Sequence, residues 1–345
     1  MTAPPRILAI GPNPPPDHGT SVPFRALNTL LRAEGWRVDV LDTHAVRRGG
    51  PAALACALRG AVALLRARVV LLSLSRPAVF RVAPPLVSLC RLLGKRMVVR
   101  NFGGDLDVWW KQGDETLRRR IRRLLAADLV FLETRNLVAF AQAAAPGARV
   151  VQLANFRDPP PPASAAPDPF GPTEALKVAY VGEMTAVKGV PALAEAARRL
   201  GDRVRLIACG VAVEPDQVEA LRAAGAAYVG TVPHQGVIDL IRAADVVVCP
   251  TQAPQEGYPG VIVEAFLCGT PVVASRWRAV PEIVEDDVNG LLFEPGDAAG
   301  LAEALSRLAD PALRARLAEG ARAGGDAFLT ERWRAVAIEA LGPLL

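Results

Sequence analysis

Two glutamates in the segment 250–275, Glu256 and Glu264, have the types and spacing to bind an extended polar ligand. Residues 257–260 lie between them and predict a tight turn, with a helix beginning at about Val261. Because a helix rises about 1.5 Å per residue, Glu264 is expected roughly 5 Å along the axis, where it meets a different part of the ligand. The backbone N–H groups of the first helical turn attract anions. The segment therefore predicts a site for a ligand that carries a diphosphate.

Each of these features also has a common structural explanation. The helix dipole alone favours a glutamate near the start of a helix, and turns that contain Gly and Pro are frequent. We prefer the structural explanation for either glutamate taken singly, and the binding site for the segment as a whole.

The elements that must position these residues alternate between strand and helix, which is typical of parallel sheets. Strands are predicted at 6–10, 37–41, 69–74, 96–100, 129–132 and 149–153, and then at 176–181, 203–209, 226–229, 246–249 and 271–274. A helix capped by Ser21 follows the first strand, and further helices are predicted between the later strands and at 331–341. Ligands of such sheets bind at the carboxyl ends of the strands.

The composition changes at residues 158–173, where Pro, Ala, Ser and Asp dominate. Such a segment builds neither a helix nor a central strand, so we predict an interdomain linker. The chain is then expected to contain one α/β domain over 1–157, a second over 174–326, and a C-terminal helical segment, 327–345, that packs back toward the first. Both domains are expected to be doubly wound and to face each other across a cleft.

The composition also excludes several classes of function. A net charge of +5 over 345 residues is too small for a nucleic-acid-binding footprint. The five cysteines and three histidines lack the spacing of a zinc site, and scattered cysteines in apolar runs fit a reducing cytoplasm. No apolar run reaches the roughly 18 residues that a membrane helix needs, and the N-terminus lacks the features of a signal peptide. We therefore expect a soluble cytoplasmic protein without a bound metal.

The segment 250–275 resembles the signature of glycosyltransferase family 4, which reads Glu-Gly-x-Pro, then Glu-Ala, then Gly-x-Pro-Val-Val-Ala. The resemblance implies a GT-B fold of two Rossmann-like domains and the transfer of a sugar, with retention, from a nucleotide-diphosphate donor. The residue at the position of Glu256 contacts the donor sugar, and that at Glu264 holds the ribose. Three more residues of this turn are expected to bind the donor: Tyr258, Gly260 and Val261.

A second resemblance to the family lies at residues 181–183, followed by Lys188. It implies that Gly182 approaches the donor and that Lys188 neutralises its diphosphate. The family usually has Arg where this chain has Glu183, and a carboxylate there opposes phosphate binding unless it points elsewhere. Arg276 and Arg278 are candidates for the missing cation.

Two loops of the first half are expected near the reaction. His18 and Gly19 follow the first strand and match a family loop that approaches the donor phosphate and the acceptor, although an ordinary Pro-rich connection is equally good. Asn101, Gly104 and Asp105 follow another strand and resemble the His-Gly-x-Asp region of the family, with the usual His missing. The resemblance places Asp105 on the acceptor side, whereas a turn and helix cap is the structural alternative.

Residues 117–125 contain five arginines, with four apolar residues at helical spacing. Such a helix could rest on the anionic inner face of a membrane and present a lipid-linked acceptor. The alternative is a solvated basic face whose arginine stems cover apolar surface, and it is at least as good an explanation.

These observations predict a retaining, metal-independent glycosyltransferase of the hexosyltransferase type, acting in polysaccharide, glycolipid or other glycoconjugate biosynthesis. Its donor is expected to be a UDP- or GDP-sugar, and its acceptor a glycan, a lipid-linked molecule or a small molecule. Two alternatives keep the fold: a nucleotide-sugar 2-epimerase, and a non-catalytic protein that binds a nucleotide sugar. Glu183 and the missing His favour the non-catalytic protein, whereas the two-glutamate signature favours the transferase. The first loop lacks the Gly-x-Gly-x-x-Gly pattern of nicotinamide enzymes.

Overall fold

The computed structural model describes residues 5–13, 21–43, 50–74 and 78–345. The chain forms two compact units. The first contains Met1–Asp158 together with Thr330–Leu345, and the second contains Pro159–Leu329. Two of the predicted site residues, His18 and Gly19, lie outside the described residues.

The first unit is built on a six-stranded parallel sheet in the order β2-β1-β3-β4-β5-β6. Its strands are β1 (Arg6–Gly11), β2 (Arg37–Asp42), β3 (Val69–Leu74), β4 (Arg96–Asn101), β5 (Leu129–Leu132) and β6 (Val150–Gln152). Its helices are α1 (Ser21–Ala33), α2 (Gly50–Arg66), α3 (Ala78–Leu92), α4 (Leu106–Gln112), α5 (Glu115–Leu125), α6 (Arg135–Ala144) and, from the end of the chain, α13 (Thr330–Leu341). Every residue of β3 and β5 is buried, as expected for strands covered by helices on both faces.

Helices cover both faces of this sheet. On one face, Phe24 and Leu27 of α1 pack in one cluster with Ala337 and Leu341 of α13. On the other face, the inner side chains of α2, α3, α5 and α6 form a second cluster with alternate residues of the same strands. The C-terminal helix is therefore part of the core of the first unit.

The second unit has its own six-stranded parallel sheet in the order β12-β11-β10-β7-β8-β9. Its strands are β7 (Leu176–Val181), β8 (Val204–Cys209), β9 (Ala227–Tyr228), β10 (Val246–Cys249), β11 (Val272–Ser275) and β12 (Gly290–Phe293). Its helices are α7 (Val190–Leu200), α8 (Pro215–Ala223), α9 (His234–Ala243), α10 (Gly260–Cys268), α11 (Ala298–Arg307) and α12 (Pro311–Gly325). From β7 the chain first adds β8 and β9 on one side of the sheet and then β10, β11 and β12 on the other. The strand order therefore reverses between β7 and β10, which are neighbours in the sheet. Two parallel, doubly wound sheets confirm the predicted fold class.

Two findings bear on contact with membranes. Ile121, Leu124 and Leu125 of α5 are fully buried, and α5 packs against α3. The apolar side of residues 117–125 therefore faces the core, which excludes a helix that lays its apolar face on lipid and favours the alternative, a basic face whose arginine stems cover apolar surface. Its exposed part is the row of arginines, one of which, Arg122, stacks on Trp110 and pairs with Glu115. Among the described helices, none is long and apolar enough to cross a bilayer.

Candidate functional site

The reversal of strand order in the second sheet brings together the loops that follow β7 and β10. These strands pair in parallel, so their carboxyl ends meet at the same edge of the sheet. Lys188 lies in the loop after β7, and Glu256 lies in the loop after β10. Doubly wound sheets bind their ligands at such a reversal. Lys188, expected to neutralise the donor diphosphate, and Glu256, expected to contact the donor sugar, are therefore neighbours at the expected binding edge.

Lys188 and Glu256 form a largely buried ion pair. The Lys188 Nζ atom donates to Glu256 Oε2 at 2.6 Å, and the two side chains are 24% and 14% exposed. The Thr251 hydroxyl donates to the same oxygen at 2.8 Å. Two donors fix the position of this carboxylate. Because an ammonium group has three N–H donors, Lys188 can keep Glu256 as a partner while it binds an anion.

The charges around the pair keep the lysine protonated. Burial acts to lower the pKa of the Lys188 ammonium, but the charge and hydrogen bond of Glu256, helped by Glu183, outweigh burial and raise this pKa above its ordinary value. Nearby, burial and the charge of Glu256 raise the pKa of the Cys249 thiol to about 12. At neutral pH the site therefore presents a charged lysine beside a neutral thiol.

The two loops approach each other very closely behind this ion pair. Gly189 adopts a left-handed backbone with φ of 80°. A Cβ atom at this position would lie 1.9 Å from the carbonyl oxygen of Pro250, so only glycine allows this approach. The Gln252 N–H group donates to the carbonyl of Val187 at 2.8 Å, which joins the same loops. The position of Lys188 therefore depends on a tight backbone contact.

Gly182, predicted on the donor side, lies directly after β7 and against the loop that follows β8. Its N–H group donates to the carbonyl of Cys209 at 3.0 Å. A Cβ atom on Gly210, whose φ is 144°, would lie 1.8 Å from the Gly182 carbonyl oxygen. Two glycines thus permit the backbone packing on this side of the Lys188 loop.

Glu183, which stands where the resemblance expects Arg, has an exposed side chain. Its charge still reaches Lys188, since it contributes to the raised pKa of that ammonium. Its backbone carbonyl accepts a hydrogen bond from the Tyr180 hydroxyl at 2.8 Å, which fixes the main chain at this point. The Lys188 loop therefore carries a carboxylate close to its lysine.

The two arginines considered as replacement cations lie after β11. Arg276 is engaged by two carboxylates, with N–O distances of 3.2 Å to Asp286 and 3.4 Å to Glu294. Arg278 has a left-handed backbone with φ of 47°. The charge of Arg276 is thus already balanced within its own part of the fold.

Glu264, predicted to hold a ribose, lies in the second turn of α10 with its side chain 14% exposed. The Nε2 atom of His234, the first residue of α9, lies 3.3 Å from Glu264 Oε1. The imidazole is more than half exposed, so it sits at the open side of this carboxylate. The structure therefore places a histidine beside the glutamate that is expected to bind the ribose.

The start of α10 has the amides that the sequence predicts for an anion. The N–H groups of Ile262 and Val263 donate to the carbonyl of Pro259 at 3.0 and 3.3 Å. The amides of Gly260 and Val261 precede these bonds at the positive end of the helix dipole. These two amides are therefore the ones best placed to meet a phosphate group.

Tyr258 is buried, with only 5% of its surface exposed. Its hydroxyl donates to Glu282 Oε2 at 2.7 Å, and its ring packs edge-on against Phe328 at 6.2 Å. The side chain thus anchors the turn between the two glutamates to the body of the unit.

Tyr258→Phe is expected to lower the free energy of unfolding by about 1 kcal/mol, because it removes one hydrogen bond to a carboxylate and leaves the ring in place. Donor affinity is expected to change little, since the backbone of the turn stays anchored by the ring. Urea denaturation and a donor titration measure the two effects separately. An unchanged unfolding free energy would contradict the anchoring role of the hydroxyl.

In the first unit, the predicted acceptor-side residues lie between β4 and α4. Asn101 is the last residue of β4 and is 2% exposed, and Gly104 is also buried. Asp105, 1% exposed, precedes α4 and accepts a hydrogen bond from Trp109 Nε1 at 3.1 Å. It makes no side-chain cap bond to the helix, so the simple capping explanation does not account for its carboxylate.

Sequence reasoning gave no role to Thr251 or His234. Thr251 could have been noticed as the first hydroxyl after the buried strand β10, inside the glutamate segment. The contact of His234 with Glu264 could not have been predicted, because it depends on how α9 packs beside α10. Within the described part of the chain, no group of three or more His, Cys, Asp or Glu side chains is arranged to hold a metal ion.

Comparison with known proteins finds similarity mainly in the second unit. Residues 175–310 match the family described as "Glycosyl transferases group 1". D-inositol 3-phosphate glycosyltransferase of Xylanimonas cellulosilytica is 36% identical over 168 residues, which is 46% of this chain and 40% of that protein. The chain therefore matches less than half the length of this relative.

Solved structures match the whole chain at lower identity. Sucrose-phosphate synthase from Thermosynechococcus elongatus has a TM-score of 0.78 and 21% identity, with 99% of both chains covered. Anabaena HepE in complex with UDP-glucose has a TM-score of 0.72 and 20% identity, with 98% of this chain and 99% of that one covered. The chain has the fold of GT-B glycosyltransferases, and residues 175–310 of its second unit match the glycosyl transferases group 1 family.

Proposed function

We propose that the chain is a retaining glycosyltransferase that moves a sugar from a nucleotide-diphosphate donor to a hydroxyl acceptor. The observation that carries the proposal is the Lys188–Glu256 ion pair at the strand reversal of a glycosyl transferases group 1 domain. A UDP-sugar is the first donor to test, because UDP-glucose is bound in one protein of the same fold. GDP-sugars come next.

In this proposal each group of the site has one task. Lys188 and the amides of Gly260 and Val261 bind the diphosphate, where negative charge grows as the bond to the anomeric carbon breaks. Glu256, already fixed by two donors, accepts hydrogen bonds from the sugar hydroxyls. Glu264 accepts hydrogen bonds from the ribose. Lys188 and Glu264 thus act on the leaving nucleoside diphosphate, and Glu256 acts on the sugar that is transferred.

Retention requires that the new bond forms on the face from which the diphosphate departs. The acceptor oxygen bonds to the anomeric carbon, the bond from that carbon to the diphosphate oxygen breaks, and the hydroxyl proton passes to the leaving diphosphate. No protein nucleophile or metal ion is needed in this scheme. We assign His18, Gly19, Asn101, Gly104 and Asp105 to the surroundings of the acceptor and of the donor phosphate.

The acceptor is proposed to be a glycan, a lipid-linked molecule or a small molecule in polysaccharide, glycolipid or other glycoconjugate biosynthesis. A second candidate is a protein that binds a nucleotide sugar without turnover. The exposed carboxylate of Glu183 close to Lys188 favours it, because this charge opposes a diphosphate. Release of free nucleotide from the donor, with or without acceptor, separates the two: the transferase releases it and the binding protein does not.

Binding of the donor is expected to raise the melting temperature. At a ligand concentration of about 100 times Kd, a ligand that binds only the folded state adds about 2.7 kcal/mol. Glu264→Ala is expected to weaken binding by about tenfold or more, since it removes charged hydrogen-bond acceptors for the ribose. A thermal-shift screen of UDP- and GDP-sugars against the wild type and this variant measures both effects.

Glu219→Ala is the matched control, because Glu219 is an exposed helical glutamate on α8 that pairs with Arg222 at 2.7 Å. It should leave the donor-induced shift unchanged. If Glu264→Ala keeps the full shift of the wild type, the assignment of the ribose site fails. If no nucleotide sugar shifts the wild type, the proposed donor is wrong.

A further inference from the structure

The first unit contains a long stretch of sequence without negative charge. Residues 43–104 include eleven Arg and Lys residues and not one Asp or Glu. This stretch contributes α2 and α3, which lie on the same face of the sheet. It is also where most of the large apolar side chains with high exposure are found among the described residues.

Helix α2 turns a row of apolar side chains away from the sheet. Leu54, Leu58 and Leu65 are 63%, 60% and 71% exposed. Their spacing of four and seven residues puts them on one side of the helix, at about 100° per residue. The opposite side packs on the sheet through partly buried residues such as Leu64. The outer side of α2 is therefore an apolar stripe that the described part of the fold leaves exposed.

The end of α3 continues this apolar surface. Leu89, Leu92 and Leu93 are 40%, 83% and 41% exposed. The ends of α2 and α3 are neighbours, because Lys95 Nζ donates to the carbonyls of Leu65 and Ala67 at 3.0 and 2.7 Å. We call the six residues Leu54, Leu58, Leu65, Leu89, Leu92 and Leu93 the leucine face.

Basic side chains border the leucine face. Arg59 and Arg66 are exposed on α2 beside its leucine stripe, and Arg68 is exposed directly after the helix. Arg81 is exposed on α3. Farther along, Arg96 is also exposed but pairs with Asp128 at 2.9 Å. Leucines flanked by arginines, with no acidic residue in the same stretch, complement a surface that is apolar inside and anionic outside.

We propose that the leucine face docks on an anionic lipid bilayer as a peripheral contact. Leucines of this kind insert at the boundary between headgroups and acyl chains, while arginines reach the phosphate groups. A protein partner or a second copy of the chain would need acidic side chains to match these arginines. The inference concerns the first unit alone and does not depend on the proposed transfer reaction.

The test uses flotation of the full chain with vesicles of phosphatidylcholine, with and without phosphatidylglycerol. The wild type is expected to float with the anionic vesicles and to be released by high salt, since surface electrostatics are screened. Leu65→Glu and Leu92→Glu are each expected to weaken vesicle binding by at least about tenfold, because each removes a leucine side chain that would be buried in the bilayer when the protein binds. Both positions are highly exposed, so neither change disturbs the core.

Val229→Glu is the control, because Val229 is 48% exposed in the second unit and lies outside the leucine face. It should bind vesicles like the wild type. The proposal fails if the wild type does not bind anionic vesicles, or if Val229→Glu weakens binding as much as the leucine variants. It also fails if light scattering shows a dimer that Leu65→Glu and Leu92→Glu dissociate, since a second copy would then cover this face.

Discussion

Replacement of Lys188 by Ala is expected to lower kcat for sugar transfer by about 100- to 1,000-fold, the usual effect of removing one group that stabilises a developing negative charge. Lys188 contributes a full positive charge, held in place by Glu256 at 2.6 Å and kept protonated by a raised pKa. The variant also removes the ammonium partner of the Glu256 carboxylate, which keeps its hydrogen bond from the Thr251 hydroxyl. Assays of nucleotide release from the donor, with saturating acceptor, measure the loss.

Lys177→Ala is the control for this variant. Lys177 is the second residue of β7, the strand that precedes the Lys188 loop. It pairs with Asp168 at 2.7 Å, so the control also removes one ion-paired lysine. It should keep kcat within about twofold of the wild type, because Lys177 lies at the amino end of β7, whereas ligands of such sheets bind at the carboxyl ends of the strands. If Lys188→Ala remains as active as Lys177→Ala, the lysine does not act on the leaving group. Melting curves of both variants show whether a loss of activity reflects unfolding.

Most of the sheet could be predicted from the sequence because its strands are short apolar runs with clear ends. The bounds of β3, β5, β7 and β10 agree with the prediction to the residue. The strand β12 was not predicted, since four residues that begin with Gly290 give too little pattern. Helix α3 was hard to recognise as well, because Pro84 and Pro85 lie inside it.

The donor-side site could be predicted only in part. The glutamate segment is contiguous, so its turn and helix follow from local pattern, and the resemblance supplied Lys188. The contact between Lys188 and Glu256 joins residues 68 positions apart and depends on the pairing of β7 with β10. The hydrogen bond from Tyr258 to Glu282 and the contact of His234 with Glu264 likewise depend on the packing of segments that are distant in the sequence, so no local pattern predicts them.

The orientation of α5 shows how a pattern with two explanations is decided by packing. The spacing of Ile121, Leu124 and Leu125 fits a core-facing helix as well as a lipid-facing one. The structure buries all three, while the helices α2 and α3, whose apolar stretches are interrupted by arginines such as Arg66 and Arg91, carry the exposed leucines. The stretch 43–104 has no acidic residue, but this charge pattern was not used to predict the exposed surface.

Gly189→Ala is expected to lower the free energy of unfolding of the second unit by about 3 kcal/mol. One part is the strain of a left-handed backbone at φ of 80°, about 1–2 kcal/mol for a residue with a Cβ atom. The other is the collision of that Cβ with the Pro250 carbonyl oxygen, 1.9 Å away, which forces the two loops apart at a cost of about 1–3 kcal/mol. Urea denaturation measures the loss.

Gly225→Ala separates these two parts. Gly225 has nearly the same backbone, with φ of 83°, but a Cβ atom there would meet nothing within 4 Å. This control should therefore show the backbone strain alone, about 1–2 kcal/mol. Equal losses for the two variants would mean that the loops separate without resistance, and the tight contact would then have no role in holding Lys188. A larger loss for Gly189→Ala, together with weaker donor binding, would show that the same contact that stabilises the unit also positions the lysine.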